Sequence, residues 1–162
     1  MVAQAQSQLL DLVERVPAAW EPEIFAANTP FTAYLRLREA IAQVRSRIHY
    51  FDRYLGPEFF DLFLADLDRQ IQIRLVTTKL GVERVLAVSR LARAEFSDYQ
   101  LVQATPGDFH DRNLIVDDRV FSLGPGAERA GAQLTNFGPA DSSPAAHSAL
   151  TSVLQAGTPV HV

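Results

Sequence analysis

The stretch FHDRNLIVDD, residues 109–118, combines side chains that could carry out phosphoryl chemistry. His110 and Arg112 lie just before a short apolar run, and Asp117 directly follows it. On a strand, residues two apart share a face, so His110 and Arg112 are expected to point the same way from the end of a sheet. A nucleophilic imidazole beside a fixed cation suits attack on a phosphodiester, because the cation neutralises charge that builds on the phosphoryl oxygens. Spacing alone leaves a second interpretation open, in which His110 is a surface histidine in a polar loop.

The composition indicates one globular domain over residues 1–162, with 48% hydrophobic and 21% charged residues. The absence of cysteine excludes disulfides, thiol chemistry and cysteine-ligated zinc. A net charge of −4 argues against a protein that grips nucleic acid with its whole surface, but it leaves room for a local basic site. Lys79 is the single lysine among fourteen arginines, so a motif that normally contains lysine could contain arginine here.

The N-terminal segment does not have the pattern of a signal peptide. It lacks a positive flank, and Asp11 and Glu14 interrupt its apolar residues. No apolar stretch is long enough to span a bilayer, so we expect a cytoplasmic protein without a membrane partner.

Helix and strand patterns alternate along the chain. Helices are predicted at 5–16, from Pro30 through a stripe ending at Ile48, after Pro57, at 80–96 and at 143–155. Strands are predicted at about 47–52, 71–77 and 99–103, on both sides of the Asp117–Asp118 turn, and at 134–137. This order predicts an α/β sandwich in which helices flank a mixed sheet, with residues 1–30 as an N-terminal helical extension. The two strands around the turn must pair antiparallel, because no crossover fits between them.

Residues His110 to Asp117 resemble the HxKxxxxD motif of the phospholipase D-like (HKD) superfamily, with arginine in the lysine place. Upstream, SRIHYFDRYLGPEFFDLFLADL and IQIRLVTT are similar to the strand–helix–strand that precedes the motif in small prokaryotic members. HDRNLIVDDRVFSLG is similar to the variant motif and hairpin found there, so the resemblance covers about residues 40–131. It implies a phospholipase D-like sandwich and phosphotransfer without a metal or other cofactor. His110 would be the nucleophile, Arg112 would bind phosphate, and Asp117 would take the place of the family's aspartate.

The resemblance also implies an assembly, because the family's active site needs two motifs and this chain has one. Active single-motif members pair two chains, so a homodimer or a larger assembly is expected, with the second His110 as general acid. Residue parity places Asp117 on the face opposite His110 if the strand is unbroken. A structural role for Asp117 in the turn therefore stands beside the catalytic one.

Four further residues are candidate substrate-binding positions. Asp52 and Tyr54 follow a predicted strand, where α/β folds place ligands; a capped, solvated turn is the alternative. Gly124 and Gly126 stand where the family usually has Gly-Ser. A dinucleotide-binding loop there is disfavoured by Pro125 and by the short chain that follows. A metal site built from His110, Asp111, Asp117 and Asp118 is also disfavoured, because partner histidines are missing and Arg112 would repel a cation.

Two functions remain open from the sequence. One is a dimeric phosphodiesterase, nuclease-like, that acts on DNA or RNA through a phosphohistidine intermediate. The other is a catalytically degenerate module that keeps the fold and binds nucleic acid or a partner protein within a larger assembly. The retained His110 and Asp117 favour the enzyme, whereas the acidic pI, the arginine substitution and the missing serine favour the binding module.

Overall fold

A computed structural model describes residues 23–25, 29–80, 83–123, 135–139 and 143–162. Its strands are β1 (Glu23–Phe25), β2 (Arg47–Phe51), β3 (Gln72–Thr77), β4 (Tyr99–Gln103), β5 (Arg112–Val116), β6 (Arg119–Leu123), β7 (Thr135–Pro139) and β8 (Thr158–Pro159). Its α-helices are α1 (Pro30–Ala42), α2 (Glu83–Glu95) and α3 (Pro144–Ala156), and a short π-helix covers Phe60–Leu64.

The described strands form one mixed sheet in the order β1-β7-β6-β5-β2-β3-β4-β8. The β2–β3 and β3–β4 pairs are parallel, and the remaining neighbours are antiparallel. Parallel neighbours need a crossover, and the π-helix and α2 lie in the two connections. The β5–β6 hairpin needs only the two-residue turn Asp117–Asp118, as predicted.

Helices cover the two faces of the sheet and create two apolar cores. The larger core packs α1, the π-helix and α2 against one face, with Tyr50, Leu75 and Leu114 fully buried from the sheet side. The smaller core joins Phe51 and neighbouring strand residues to one side of α3. Successive strand residues point to opposite faces, which is why Tyr50 and Phe51 belong to different cores. The sandwich of helices around a mixed α/β sheet that the sequence predicted is therefore confirmed.

Strand register brings three chain segments to one edge of the sheet. Phe51 in β2 lies opposite Val76 in β3 and opposite Asn113 near the start of β5. The carboxyl ends of β2 and β3 therefore meet the amino end of the antiparallel β5. We call this region the motif edge and define it by residues 52–55, 77–79 and 109–112.

Three local predictions need correction. α1 begins at Pro30 as expected but ends at Ala42, because Ile48, the last residue of the predicted apolar stripe, belongs to β2. The element after Pro57 contains a π-helix over Phe60–Leu64, in which Phe60, Phe63 and Leu64 are buried. The segment assigned to the N-terminal extension contains strand β1, which pairs with β7. The predicted helix at 5–16 lies outside the described residues.

Candidate functional site

The cation in the motif's lysine place is held by a buried carboxylate. Arg112 Nε lies 3.3 Å from Asp52 Oδ1, and the Asp52 side chain is 1% exposed. The two residues come from β5 and from the end of β2, so the antiparallel register of these strands creates the pair. The structure thus brings together two of the residues that the sequence singled out, Arg112 and Asp52, as an ion pair at the motif edge.

Asp52 is itself fixed by neighbours on its own strand and turn. The Tyr50 hydroxyl donates to Asp52 Oδ2 at 2.8 Å, and the Tyr54 amide donates to Asp52 Oδ1 at 2.9 Å. Tyr50 stacks flat on Phe59, with 4.1 Å between ring centroids. A buried carboxylate is costly unless it is paired and hydrogen-bonded, and both conditions are met here. Asp52 therefore positions the Arg112 guanidinium and shapes the turn that carries Tyr54.

His110 stands at the motif edge two residues before the start of β5, and it is exposed. The preceding loop is a tight turn, in which the Thr105 amide donates to the Asp108 carboxylate and Gly107 adopts a φ of 102°. Phe109 then anchors the segment by packing edge-on against Phe51, with ring centroids 5.9 Å apart. No hydrogen bond or ion pair joins the imidazole to another described residue, so nothing in this part of the chain fixes its orientation.

Asp117 lies at the opposite end of β5 from His110, in the hairpin turn with a φ of 54°. Its carboxylate accepts hydrogen bonds from the amides of Arg45, Ser46 and Arg47 and from the Ser46 hydroxyl, at 2.8–3.2 Å. Partial burial opposes ionisation, but these hydrogen bonds lower the pKa of Asp117 below its ordinary value. Seven residues of extended chain separate the two side chains by roughly 20 Å. The structure does not bring Asp117 to His110; it gives Asp117 a structural task in the turn.

The motif edge also carries two cations that flank an exposed ring. Arg53 Cζ and Lys79 Nζ each lie 5.6 Å from the centroid of Tyr54. Hydroxyl groups of Thr77 and Thr78 both donate to the Arg53 carbonyl at 3.2 Å, which ties the β2 turn to the end of β3. Lys79 is not among the site residues selected from the sequence. The available signal was its place two residues after the end of β3, because carboxyl ends of parallel strands meet at one sheet edge.

The remaining candidate positions lie elsewhere. Gly124 and Gly126 fall outside the described residues. Within the described part of the chain, no group of three or more His, Asp or Glu side chains is arranged to hold a metal ion. None of the described helices has both the length and the apolar character needed to cross a membrane.

A second polar region lies away from the motif edge and includes His49, Gln72, Arg74 and Asp98. Burial lowers the pKa of His49, whose Nε2 lies 2.9 Å from the Gln72 side-chain oxygen. The Gln72 amide in turn donates to Asp98, which pairs with Arg74 at 2.7 Å. A cavity of about 270 Å³ next to this network is lined by residues that include Arg74, Arg93, Asp98 and His161. It shares no residue with the motif edge.

Comparisons with known proteins support the fold. No protein-family model and no curated protein sequence matches the chain. Among solved structures, the archaeal chromatin protein TrmBL2, described with a novel mode of DNA binding, matches with a TM-score of 0.62 and 18% identity. That match covers 98% of this chain, which spans only 62% of TrmBL2. NucT from Helicobacter pylori matches with a TM-score of 0.64 and 11% identity over 87% of this chain and 99% of NucT.

A phosphatidylserine synthase from Haemophilus influenzae Rd KW20 matches with a TM-score of 0.60 and 11% identity. This match covers 90% of the present chain and 41% of the synthase. These neighbours share the mixed sheet and its flanking helices, and their identities establish likeness of fold alone. The chain therefore has a phospholipase D-like α/β fold.

Proposed function

We propose that the chain binds the phosphodiester backbone of nucleic acid at its motif edge. The observation that carries the proposal is the convergence of Arg53, Lys79 and Arg112 at one sheet edge. In the described part of the chain, neither Arg53 nor Lys79 forms an ion pair with a carboxylate. The DNA-binding neighbour TrmBL2 has the same fold, which is consistent with this function.

Arg112 contributes to phosphate binding mainly by hydrogen bonding in a fixed direction, and less through its positive charge. Its ion pair with Asp52 cancels much of the local field that a phosphoryl-transfer site would need. A guanidinium held by a carboxylate nevertheless keeps a fixed orientation, and its planar fork of donors matches the geometry of a phosphate. Together with a His110 imidazole that no described residue orients, this arrangement favours phosphate binding over hydrolysis by a single chain.

The test is the affinity of a fluorescein-labelled oligonucleotide for matched double variants. Arg53→Gln/Lys79→Gln removes two charges at the motif edge, and affinity should fall on the order of tenfold if each contact contributes about 0.5–1 kcal/mol. Arg45→Gln/Arg119→Gln removes two exposed charges at the opposite end of the sheet, beside the Asp117 turn, and should change affinity little. Equal losses in the two variants would show that binding is diffuse, and the proposed site would then be wrong.

A second candidate function is phosphodiester hydrolysis by two paired chains. It is favoured by one observation: His110 lies two residues before Arg112, the first residue of β5, so both stand at the same edge. In this mechanism His110 of one chain attacks phosphorus and forms a phosphohistidine, while the partner's His110 protonates the departing oxygen. Water then attacks the phosphohistidine and releases the product.

Substitutions at the motif separate the two functions. If paired chains hydrolyse a phosphodiester, His110→Ala should abolish turnover and leave oligonucleotide binding intact, because an exposed imidazole contributes little to the core. Arg112→Lys should keep or raise turnover, since an ammonium restores the point charge of the resembled motif. Complete absence of hydrolysis by the wild-type assembly would refute the second function and leave the first. Hydrolysis that survives His110→Ala would refute the role of His110.

A further inference from the structure

We infer that Tyr54 is a stacking platform for an unpaired nucleobase, so that single-stranded nucleic acid is the preferred ligand of the motif edge. The inference rests on the proposed function, because it names the class of nucleic acid that the same edge would take. Tyr54 would then determine the preference for single strands, a preference that contacts to the phosphodiester backbone alone do not require.

The Tyr54 ring is exposed, but the backbone that carries it is fixed. Tyr54 is 53% exposed, which is unusual for a large aromatic residue in the described part of this chain. Its amide is bound to the buried Asp52, and the next residue, Leu55, is buried with its amide 3.4 Å from the Thr77 hydroxyl. Because the backbone that carries the ring is already ordered, stacking of a base costs little further backbone entropy, which favours binding.

The cations next to the ring are placed to contact the phosphate of a nucleotide whose base stacks on the ring. Arg53 Cζ and Lys79 Nζ are both 5.6 Å from the ring centroid, a loose distance for a cation–π contact. The Arg53 Nε is buried and has no hydrogen-bond partner among the described residues. Each nucleotide joins a flat base to a phosphate, so an aromatic ring beside cations can contact both parts of it at once.

Phe31 shows that an exposed aromatic ring alone does not indicate a nucleotide-binding position. Phe31 is 70% exposed on α1, more than Tyr54, but its ring contact is with Tyr34, and no described cation lies over it. Phe31 thus offers apolar surface without a charge for phosphate. It provides a matched control for the loss of an exposed aromatic ring.

The preference for single strands follows from how bases are presented. In a duplex each base is stacked between its neighbours, and its faces are covered except at the ends. An aromatic side chain at a phosphate-binding edge can therefore engage a base only where the strand is unpaired. Wild-type protein should bind a single-stranded oligonucleotide more tightly than a blunt duplex of the same sequence.

The experiment measures fluorescence anisotropy with three labelled probes: a single-stranded thymidine oligonucleotide, a duplex, and an abasic strand with the same number of phosphates. Tyr54→Leu should weaken binding of the thymidine strand by roughly 5- to 150-fold, the range observed for loss of one stacked base. Tyr54→Phe should retain binding, and Phe31→Leu should leave it unchanged. On the abasic strand, Tyr54→Leu should behave like wild type, because no base is present to stack.

Each alternative outcome points to a different error. If Tyr54→Leu binds thymidine strands like wild type while Arg53→Gln/Lys79→Gln weakens binding, the stacking inference is wrong and the proposed function stands. Equal losses on abasic and thymidine strands would mean that the ring only positions the cations, and would also overturn stacking. If wild type binds none of the three probes, the proposed function and this inference both fail.

Discussion

Replacement of Arg112 by methionine removes the cation from the most buried ion pair at the motif edge. Asp52 is 1% exposed, and loss of its partner leaves a buried carboxylate without a countercharge. Breaking such a pair typically costs about 3–5 kcal/mol. Hydrogen bonds from the Tyr50 hydroxyl and the Tyr54 amide remain and offset part of this cost. We therefore expect Arg112→Met to lower the free energy of unfolding by about 2–4 kcal/mol.

A double-mutant cycle in urea denaturation isolates the pairwise contribution. Asp52→Asn removes the charge that Arg112→Met leaves buried, so the double variant should be more stable than the sum of the two single losses predicts. The expected coupling is about 2 kcal/mol, well above the error of such cycles. Additive losses would show that the two side chains do not stabilise one another, and the argument for an Asp52-positioned guanidinium would fail.

A second ion pair supplies the control for distance and exposure. Arg38 Nη2 lies only 2.6 Å from Asp66 Oδ2, closer than the atoms of the Arg112 pair, but the Asp66 side chain is 80% exposed. Exposed pairs contribute about 0–1 kcal/mol because water solvates both partners. Arg38→Met should therefore cost less than Arg112→Met, despite its shorter contact. The opposite order would contradict the reasoning from burial.

Three further predictions follow from the same structure. Asp117→Asn should lower the free energy of unfolding by about 1–2 kcal/mol at pH 7. Because hydrogen bonds lower the pKa of Asp117, its contribution to stability is complete above its unfolded pKa of about 3.9 and is lost at lower pH. The stability difference from wild type should shrink at pH 3, and a constant difference in urea midpoints would contradict the assigned role. Any hydrolysis through His110 should survive EDTA, whereas loss on chelation would indicate a metal mechanism. Sedimentation at micromolar concentration should detect a dimer if paired chains are the enzyme; monomer alone would refute self-pairing.

The sequence predicted those parts of the fold that depend on local patterns. The β5–β6 hairpin followed from two apolar runs around Asp117–Asp118, which are too close for a crossover. The start of α1 followed from Pro30. The edge strands β1 and β8 were not predicted, because three and two residues carry no readable alternation and these strands exist through pairing with β7 and β4.

The candidate site was predictable only in part, because its residues meet through long-range register. His110, Arg112 and Asp52 were each selected from local sequence, but the Asp52–Arg112 pair depends on the alignment of β2 with β5, which neither strand encodes alone. The approach of Lys79 to Tyr54 depends on the parallel β2–β3 pairing in the same way. The separation of Asp117 from His110 arises because the two residues flank opposite ends of β5, whereas residue parity predicted opposite faces of an unbroken strand.

The most direct test of the central claim is to map the nucleic-acid contact on the folded chain. Backbone amide chemical shifts should be recorded while a short single-stranded oligonucleotide is added. We expect the largest changes at the motif edge, in residues 52–55, 77–79 and 109–112. Changes centred instead on the cavity beside Arg74, Arg93 and His161 would place the ligand elsewhere and contradict the account.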